Sequence, residues 1–428
     1  MTRPEDALAI HKDARFRGPT FAGLEGGRIL MTDGRKFYVS DDGGITWSDG
    51  TERQDLEGTL VAGSSMISLG GNAVGAVGTW SDPTGARFSW ESKRNAHMLF
   101  WRSEDGGETW APPVHIHPRG VVMHAYQDVL LRTSSGRIIL PLYSSMGQGT
   151  WHHEGAPFVG GYWNGNYIST DAHFYDPHFS ASYIVYSDDG GETWNTNRDG
   201  ELIIHTEYGT NPEYTNEPSV TEVSPGRLLM IMRTGLGRLY QAWSEDDGTS
   251  WSRPEPTQLA GTNAPGQVRT LPHTGHLLVV WTQQSEREIR QGFIRTRLSS
   301  AISRNGGGVW EYFQNVESIH EETRVEAGPI QRVRPQGRLS IHPGGAYEVD
   351  AEYSVELENY GRWAYPSVYV ADDRVLVAHS YSPQDPVTGE GLSGGRLKVL
   401  PISWFYGGRD PAAESFVIKK IEDLPPRP

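Results

Sequence analysis

The chain of 428 residues contains no cysteine, which excludes a disulfide framework, thiolate metal ligands and thiol catalysis. It also has no apolar run approaching the roughly 20 residues that a membrane-spanning helix requires. The amino-terminal stretch MTRPEDALAIHKDARF lacks the apolar centre of a secretory signal. Together these absences suit a soluble protein of the reducing cytoplasm, and equally the mature form of a secreted one. Basic residues are in the minority, 38 Lys and Arg against 53 Asp and Glu, for a net charge of −15. Nucleic acid and anionic membranes are therefore poor partners, since both are held through a basic surface. An acidic small ligand stays possible if arginines gather locally against the general field. Helical periodicity is scarce too, whereas glycine (51), proline (27) and tryptophan (14) are plentiful, as in a turn-rich globular fold.

One octapeptide recurs. SDDGGITW begins at Ser40, SEDGGETW at Ser103, SDDGGETW at Ser187 and SEDDGTSW at Ser244, with a worn copy, SRNGGGVW, from Ser303. Each reads as a tight turn. Glycine supplies positive φ, the Asp carboxylate accepts backbone N–H groups across the loop, and the Trp packs beneath. A short strand precedes each copy: KFYVS, HMLFWRS, ASYIVYS, LYQAWS and SSAIS. Upstream stands a second recurring phrase, strand–turn–apolar strand, seen in PTFAGLEGGRILM, QDVLLRTSSGRIILPLY, EPSVTEVSPGRLLMIMR and PSVYVADDRVLVAHSY. Weaker forms are SSMISLGGNAVGAVG and GQVRTLPHTGHLLVVW. Six units of four strands, at periods too long for a solenoid, predict an all-β, six-bladed β-propeller of four-stranded antiparallel blades. The expected single domain spans 1–428, with blades at roughly 17–47, 60–110, 120–194, 212–251, 262–310 and 360–406. Long loops at 78–96, 143–182 and 311–360 interrupt the rhythm, as functional insertions do.

The octapeptides resemble the Asp-box, S-x-D-x-G-x-T-W, of the sialidase superfamily, and the order of units resembles its six-bladed propeller. The resemblance implies that the boxes are structural turns remote from the chemistry, which would lie at the starts of the innermost strands. FRGPTF resembles the family's F-R-I-P motif and makes Arg17 a substrate-carboxylate ligand, with Gly18 standing where Ile is usual. TNEPSVTEVSPGRLLMIMRT resembles the segment supplying a Glu and, sixteen positions on, an Arg, here Glu217 and Arg233. In RTRLSSAIS the spacing selects Arg295, with Arg297 as rival, and WAYPSV resembles the segment of the nucleophilic Tyr, here Tyr365.

The set is chemically coherent. Three guanidinium groups, those of Arg17, Arg233 and Arg295, converging on one substrate carboxylate give charge-assisted, partly bidentate bonds. At a sugar carbon bearing that carboxylate an anionic nucleophile is repelled, whereas a neutral Tyr deprotonated by Glu217 is not; sialidases are a recognised exception to the two-carboxylate scheme. The resemblance thus implies an exo-acting glycoside hydrolase taking a terminal acidic sugar, with no cofactor and no metal.

The sequence departs from the pattern in two places. The loop that carries the family's acid/base Asp is cut to Thr32-Asp33-Gly34-Arg35, an Asp-Gly hairpin signal that makes Asp33 a turn residue. Asp82 occupies the equivalent loop of the second blade. The third blade begins VVMHAYQDVLL, which brings His124 and Asp128 forward as acid/base candidates. His152, His153, His173 and His178 match no metal spacing. Two further readings stay open: a propeller lyase on uronate glycans, using His124 with Tyr214 or Tyr365 as base and acid, and a non-catalytic glycan-binding propeller.

Overall fold

A computed structural model describes residues 18–34, 36–79, 98–116, 125–147, 160–163, 166–169, 178–197, 206–208, 211–213, 215–290, 293, 295–331, 362–382 and 394–414, with the backbone alone at 79, 144–147, 160–163, 166–169, 178–180, 206–208, 211–213 and 382. The strands group into six antiparallel blades arranged as a propeller. Blade one comprises Thr20–Gly23, Ile29–Thr32, Lys36–Ser40 and Thr51–Glu52; blade two comprises Ser65–Gly70, Ala73–Thr79, Met98–Ser103 and Val114–His115. Blade four runs through Asn216–Ser224, Arg227–Arg233, Arg238–Ser244 and Glu255–Ala260, and blade five through Gly266–Thr270, Leu277–Thr282, Arg297–Ser303 and Glu311–Ser318.

Two blades vary the plan. Blade three (Leu131–Arg132, Ile138–Gly147, His178–Ser187 and Asn195–Thr196) carries an added hairpin, Gly160–Trp163 with Asn166–Ser169. Blade six shows three strands among the described residues, Arg362–Ala371, Arg374–Ser382 and Gly394–Pro401. No helix among the described residues is long and apolar enough to cross a membrane.

The core is divided among the gaps between blades. Six apolar clusters occupy the six interfaces, the last joining Phe21, Ile29 and Met31 of blade one to Leu376, Ala378 and Leu397 of blade six. Each second strand is consequently buried on both faces. In RLLMIMR, Leu228, Met230 and Met232 face blade three while Leu229 and Ile231 face blade five. Unbroken apolar runs such as LLVVW are the result, in place of the alternation expected of a half-exposed strand.

The octapeptide turns seal these gaps. In the first, Gly44 N–H donates to Ser40 Oγ (2.8 Å), Thr46 N–H and Oγ1–H donate to the Asp42 carboxylate (2.8 and 2.6 Å), and Trp47 Nε1–H donates to Gly44 O (3.1 Å). Burial alone would raise the Asp42 carboxyl, but the bonds from Thr46, Ser40 and the backbone hold it at about 2. The glycine at the fifth position of each box lies against the preceding blade. A Cβ on Gly191 would stand 2.0 Å from the Phe100 ring, and one on Gly44 would stand 2.5 Å from Leu376 of blade six, so the first box rests on the last blade. The turn glycines are thus required by backbone conformation and by space together.

The register fixes where each end of a blade points. In blade one, Gly23 pairs with Ile29 and Ile29 with Ser40, whereas Thr20 pairs with Thr32 at the other end. The boxes therefore sit opposite the inner-strand starts. At those starts small polar side chains bind the next blade: Met66 N–H donates to Thr20 Oγ1 (2.7 Å), Leu130 N–H to Ser65 Oγ (2.8 Å) and Val268 N–H to Ser219 Oγ (3.2 Å).

Candidate active site

Two inner strands open with the same local device. In N-E-P-S-V of blade four and A-Y-P-S-V of blade six, a proline with no N–H interrupts the ladder. The register slips between Asn216 and Ser219 and between Ala364 and Ser367. Glu217 and Tyr365 stand in these irregularities with left-handed backbone, φ 41° and 56°. Arg295, at the mouth of the third strand of blade five, has φ 61°. Non-glycine residues in this region are strained, and such strain concentrates where a side chain must be aimed.

The side chains form one connected chain across three blades. Arg233 Nη1 donates to Glu217 Oε2 at 2.5 Å, with both side chains buried (0 and 5% exposed). Arg233 Nε donates to Asn263 Oδ1 (2.5 Å), and Arg295 Nη2 donates to the Asn263 carbonyl (3.3 Å). The Arg295 guanidinium then lies 5.0 Å from the centroid of the Tyr365 ring, within cation–π range. Gln284 fixes this arginine from behind, accepting from Arg295 N–H (3.2 Å) and donating to the Phe293 carbonyl. Tyrosines complete the wall. Tyr126 packs 6.0 Å from Tyr365, centroid to centroid. Burial pushes the phenols of Tyr126 and Tyr143 well up, and the charge of Glu217 adds to that push in both, so both stay neutral donors.

The structure separates the remaining candidates. Arg297, the rival of Arg295, is buried and forked onto Glu288 (2.9 and 3.2 Å), where it anchors the short helix Glu286–Arg290. Asp33 accepts from Lys36 N–H (2.8 Å) and Tyr38 Oη–H (3.2 Å) within its hairpin. Asp128, with φ 53°, lies at the hub. Its carboxylate accepts from Thr20 Oγ1–H (2.6 Å), Phe21 N–H (3.3 Å) and Arg269 (3.4 Å), bonds to blades one and five. Burial nevertheless pushes that carboxyl up to about 6, outweighing Arg269 and the two donors. Arg17, Asp82, His124, His152, His153, His173 and Tyr214 lie outside the described residues, as does the side chain of His178. Gly18 explains the departure from F-R-I-P. Its φ is 62°, a left-handed conformation that a β-branched Ile adopts only under strain, and a Cβ there would displace the Gln127 carboxamide, 2.0 Å away.

Asn263, Gln284, Tyr126, Gln127 and Tyr143 were not singled out from sequence. Asn263, in GTNAPGQV, stands just before an inner strand, a position that could have flagged it; the others carry no local mark.

A six-bladed Asp-box propeller with acidic, basic and phenolic groups gathered at one face defines the class of protein. Residues 72–377 match the model of the BNR repeat-like domain, and residues 38–49 match that of the BNR/Asp-box repeat. The chain belongs to the BNR repeat-like domain family. A sialidase of Bacteroides fragilis is 27% identical over 243 residues, which cover 52% of this chain and 37% of that protein; the match thus spans little more than a third of that relative. Among solved structures, Trypanosoma rangeli sialidase in complex with 2,3-difluorosialic acid (covalent intermediate) superposes with TM-score 0.51 at 14% identity, covering 95% of this chain and 58% of that one. A mutant of NanB sialidase from Streptococcus pneumoniae gives TM-score 0.50 at 11% identity, covering 92% and 70%. At these identities the structures establish the shared fold.

Proposed function

We propose that this protein is an exo-acting glycoside hydrolase of sialidase type, releasing a terminal sugar that bears a carboxylate. The observation that carries the reading is the connected chain Glu217–Arg233–Asn263–Arg295–Tyr365, assembled from three blades at one face. In this reading the Tyr365 oxygen attacks the anomeric carbon while Glu217 accepts the phenolic proton, and the glycosidic oxygen leaves with a proton from a general acid. Water then cleaves the tyrosyl–sugar bond, and the phenol takes its proton back. Arg295, half-buried beside the phenol, holds the substrate carboxylate together with Arg17. Arg233 is wholly buried and engaged by Glu217 and Asn263, and it supplies positive charge from behind. Asp33 and Asp128 already serve their own turn and hub, so the general acid is assigned to Asp82 or His124. The covalent sugar in the Trypanosoma relative supports a two-step route here.

The test is direct. A fluorogenic sialoside should release its fluorophore, and 2,3-difluorosialic acid should add one sugar to the peptide containing Tyr365, read by mass spectrometry. No fluorophore, combined with new ultraviolet absorbance from a uronate polymer, would replace the hydrolase with a lyase. Silence in both assays would leave a glycan-binding propeller.

A further inference from the structure

Because the ladder of blade six slips between Ala364 and Ser367, Tyr365 and Pro366 have no partners on their own second strand. Two consecutive side chains of blade three, across the hub, supply them. Tyr126 Oη–H donates to the Pro366 carbonyl, and Gln127 Nε2–H donates to the Tyr365 carbonyl at 2.6 Å. The turn that carries these donors is itself tied to the hub. Gln267 Nε2–H donates to the carbonyls of Asp128 (2.6 Å) and Gln127 (3.3 Å), and Arg269 donates to the Asp128 carbonyl. Asp128 N–H donates to Ser64 O (3.0 Å), and the Asp128 carboxylate accepts from Thr20 (2.6 Å). Tyr126 is buried, and Gly18 closes over Gln127 with no room for a Cβ. Glu217, in the matching irregularity of blade four, is held locally instead, its N–H donating to Asn216 Oδ1 (2.7 Å).

We propose that Gln127, seconded by Tyr126, is the positioning residue of Tyr365. Its carboxamide holds the Tyr365 carbonyl so that the left-handed backbone persists and the phenol stays aimed beside Arg295. Asp128 is the keystone that fixes the turn presenting both donors. This assignment rests on Tyr365 being the nucleophile of the proposed reaction. Neither Tyr126 nor Gln127 exchanges a proton with substrate. Their contribution is orientation, which enters kcat through the fraction of enzyme in an attacking pose.

The experiment uses the full chain with Gln127→Met, which removes the donor at similar size, and Gln127→Glu. Gln127→Met should lower kcat on the fluorogenic sialoside by roughly 10- to 100-fold, the scale of a small misplacement of a reacting group. KM and the thermal midpoint should stay near the parent values. Gln127→Glu should be equally impaired at neutral pH and regain turnover on acidification, since a protonated carboxyl again donates to the carbonyl, a recovery that loss of packing would not produce. A kcat for Gln127→Met equal to wild type, or KM and kcat falling together with stability, would overturn the assignment. Should Gln127→Met not fold, Tyr126→Phe, which deletes a single hydroxyl, is measured in the same way. If the wild-type protein itself shows no turnover, the hydrolase reading fails alone. A crystal structure of Gln127→Met then decides: Tyr365 still left-handed sinks the positioning role, and Tyr365 relaxed out of that region supports it.

Discussion

The two ends of the propeller treat left-handed backbone in opposite ways. At the box end it is mostly given to glycine, as at Gly43 and Gly44 (φ 72° and 90°) or Gly190 and Gly191 (φ 75° and 100°). At the opposite face it is given to Asp128, Glu217, Arg295 and Tyr365, four of the seven non-glycine residues with positive φ among those described. An L-residue in that region costs about 1–2 kcal/mol. A turn has no use for a side chain there and avoids the cost. A site that needs a carboxylate, a guanidinium and a phenol at three strand mouths must bear it, and the surrounding hydrogen bonds hold the strained conformers in place. The difference separates the end built of turns from the end where polar side chains gather.

The contrast can be broken most sharply at Tyr365. Tyr365→Phe keeps the ring and the backbone strain but removes the hydroxyl proposed as the nucleophile, so sialoside turnover should fall by roughly 10³-fold or more, with an unchanged unfolding midpoint. Full activity would end the assignment. Next is Glu217→Gln, which leaves the buried Arg233 without its counter-charge and should cost about 3–5 kcal/mol in denaturant unfolding. A smaller loss would show that Asn263 and its neighbours carry the guanidinium by themselves. At the box end, Gly191→Ala forces a methyl towards the Phe100 ring in a left-handed residue and should destabilise by about 2–4 kcal/mol, with kcat untouched.

A weaker effect is expected from pH. Because burial raises Asp128 to about 6 from an ordinary 3.8, the folded protein binds this proton more tightly than the unfolded chain. Its contribution to stability is therefore present below pH 3.8 and is lost as pH rises through 6. Asp128→Asn should flatten the stability profile across that window, as read from unfolding midpoints; an identical slope would show that the carboxyl is already ionised there. Asp247 tests the exception. It is the one box residue that bears a side chain at positive φ (55°), and its carboxylate accepts from Ser135 at 2.6 Å. In Asp247→Gly, relief of strain and loss of that bond oppose each other, so stability should move by less than about 1 kcal/mol.

Much of this was legible along the chain because it rests on local chemistry. The octapeptides mark turns through bonds between residues four apart, such as Thr46 to Asp42. The apolar second strands mark sheets buried on both sides. Glu217 and Tyr365 stood out because TNEPSV and WAYPSV resemble sialidase-superfamily segments, and the structure sets Arg295 rather than Arg297 beside the phenol. The hydrogen bond from Gln127 to Tyr365 joins residues 238 positions apart, and nothing near either position announces it. Asp128 shows the same limit: a lone carboxylate at a strand start invites an acid/base reading, and only its partners in other blades make it a keystone.

Read alone, the sequence determined the blade count, the turns that seal the blades and the residue types available for the reaction, since periodicity, glycine placement and apolar runs act within a few residues. The tertiary structure alone decided which of those polar groups meet. That depends on how six sheets close into a ring, bringing the mouths of blades three and six face to face across a hub whose hydrogen-bond partners are chosen by geometry and not by neighbourhood in the chain.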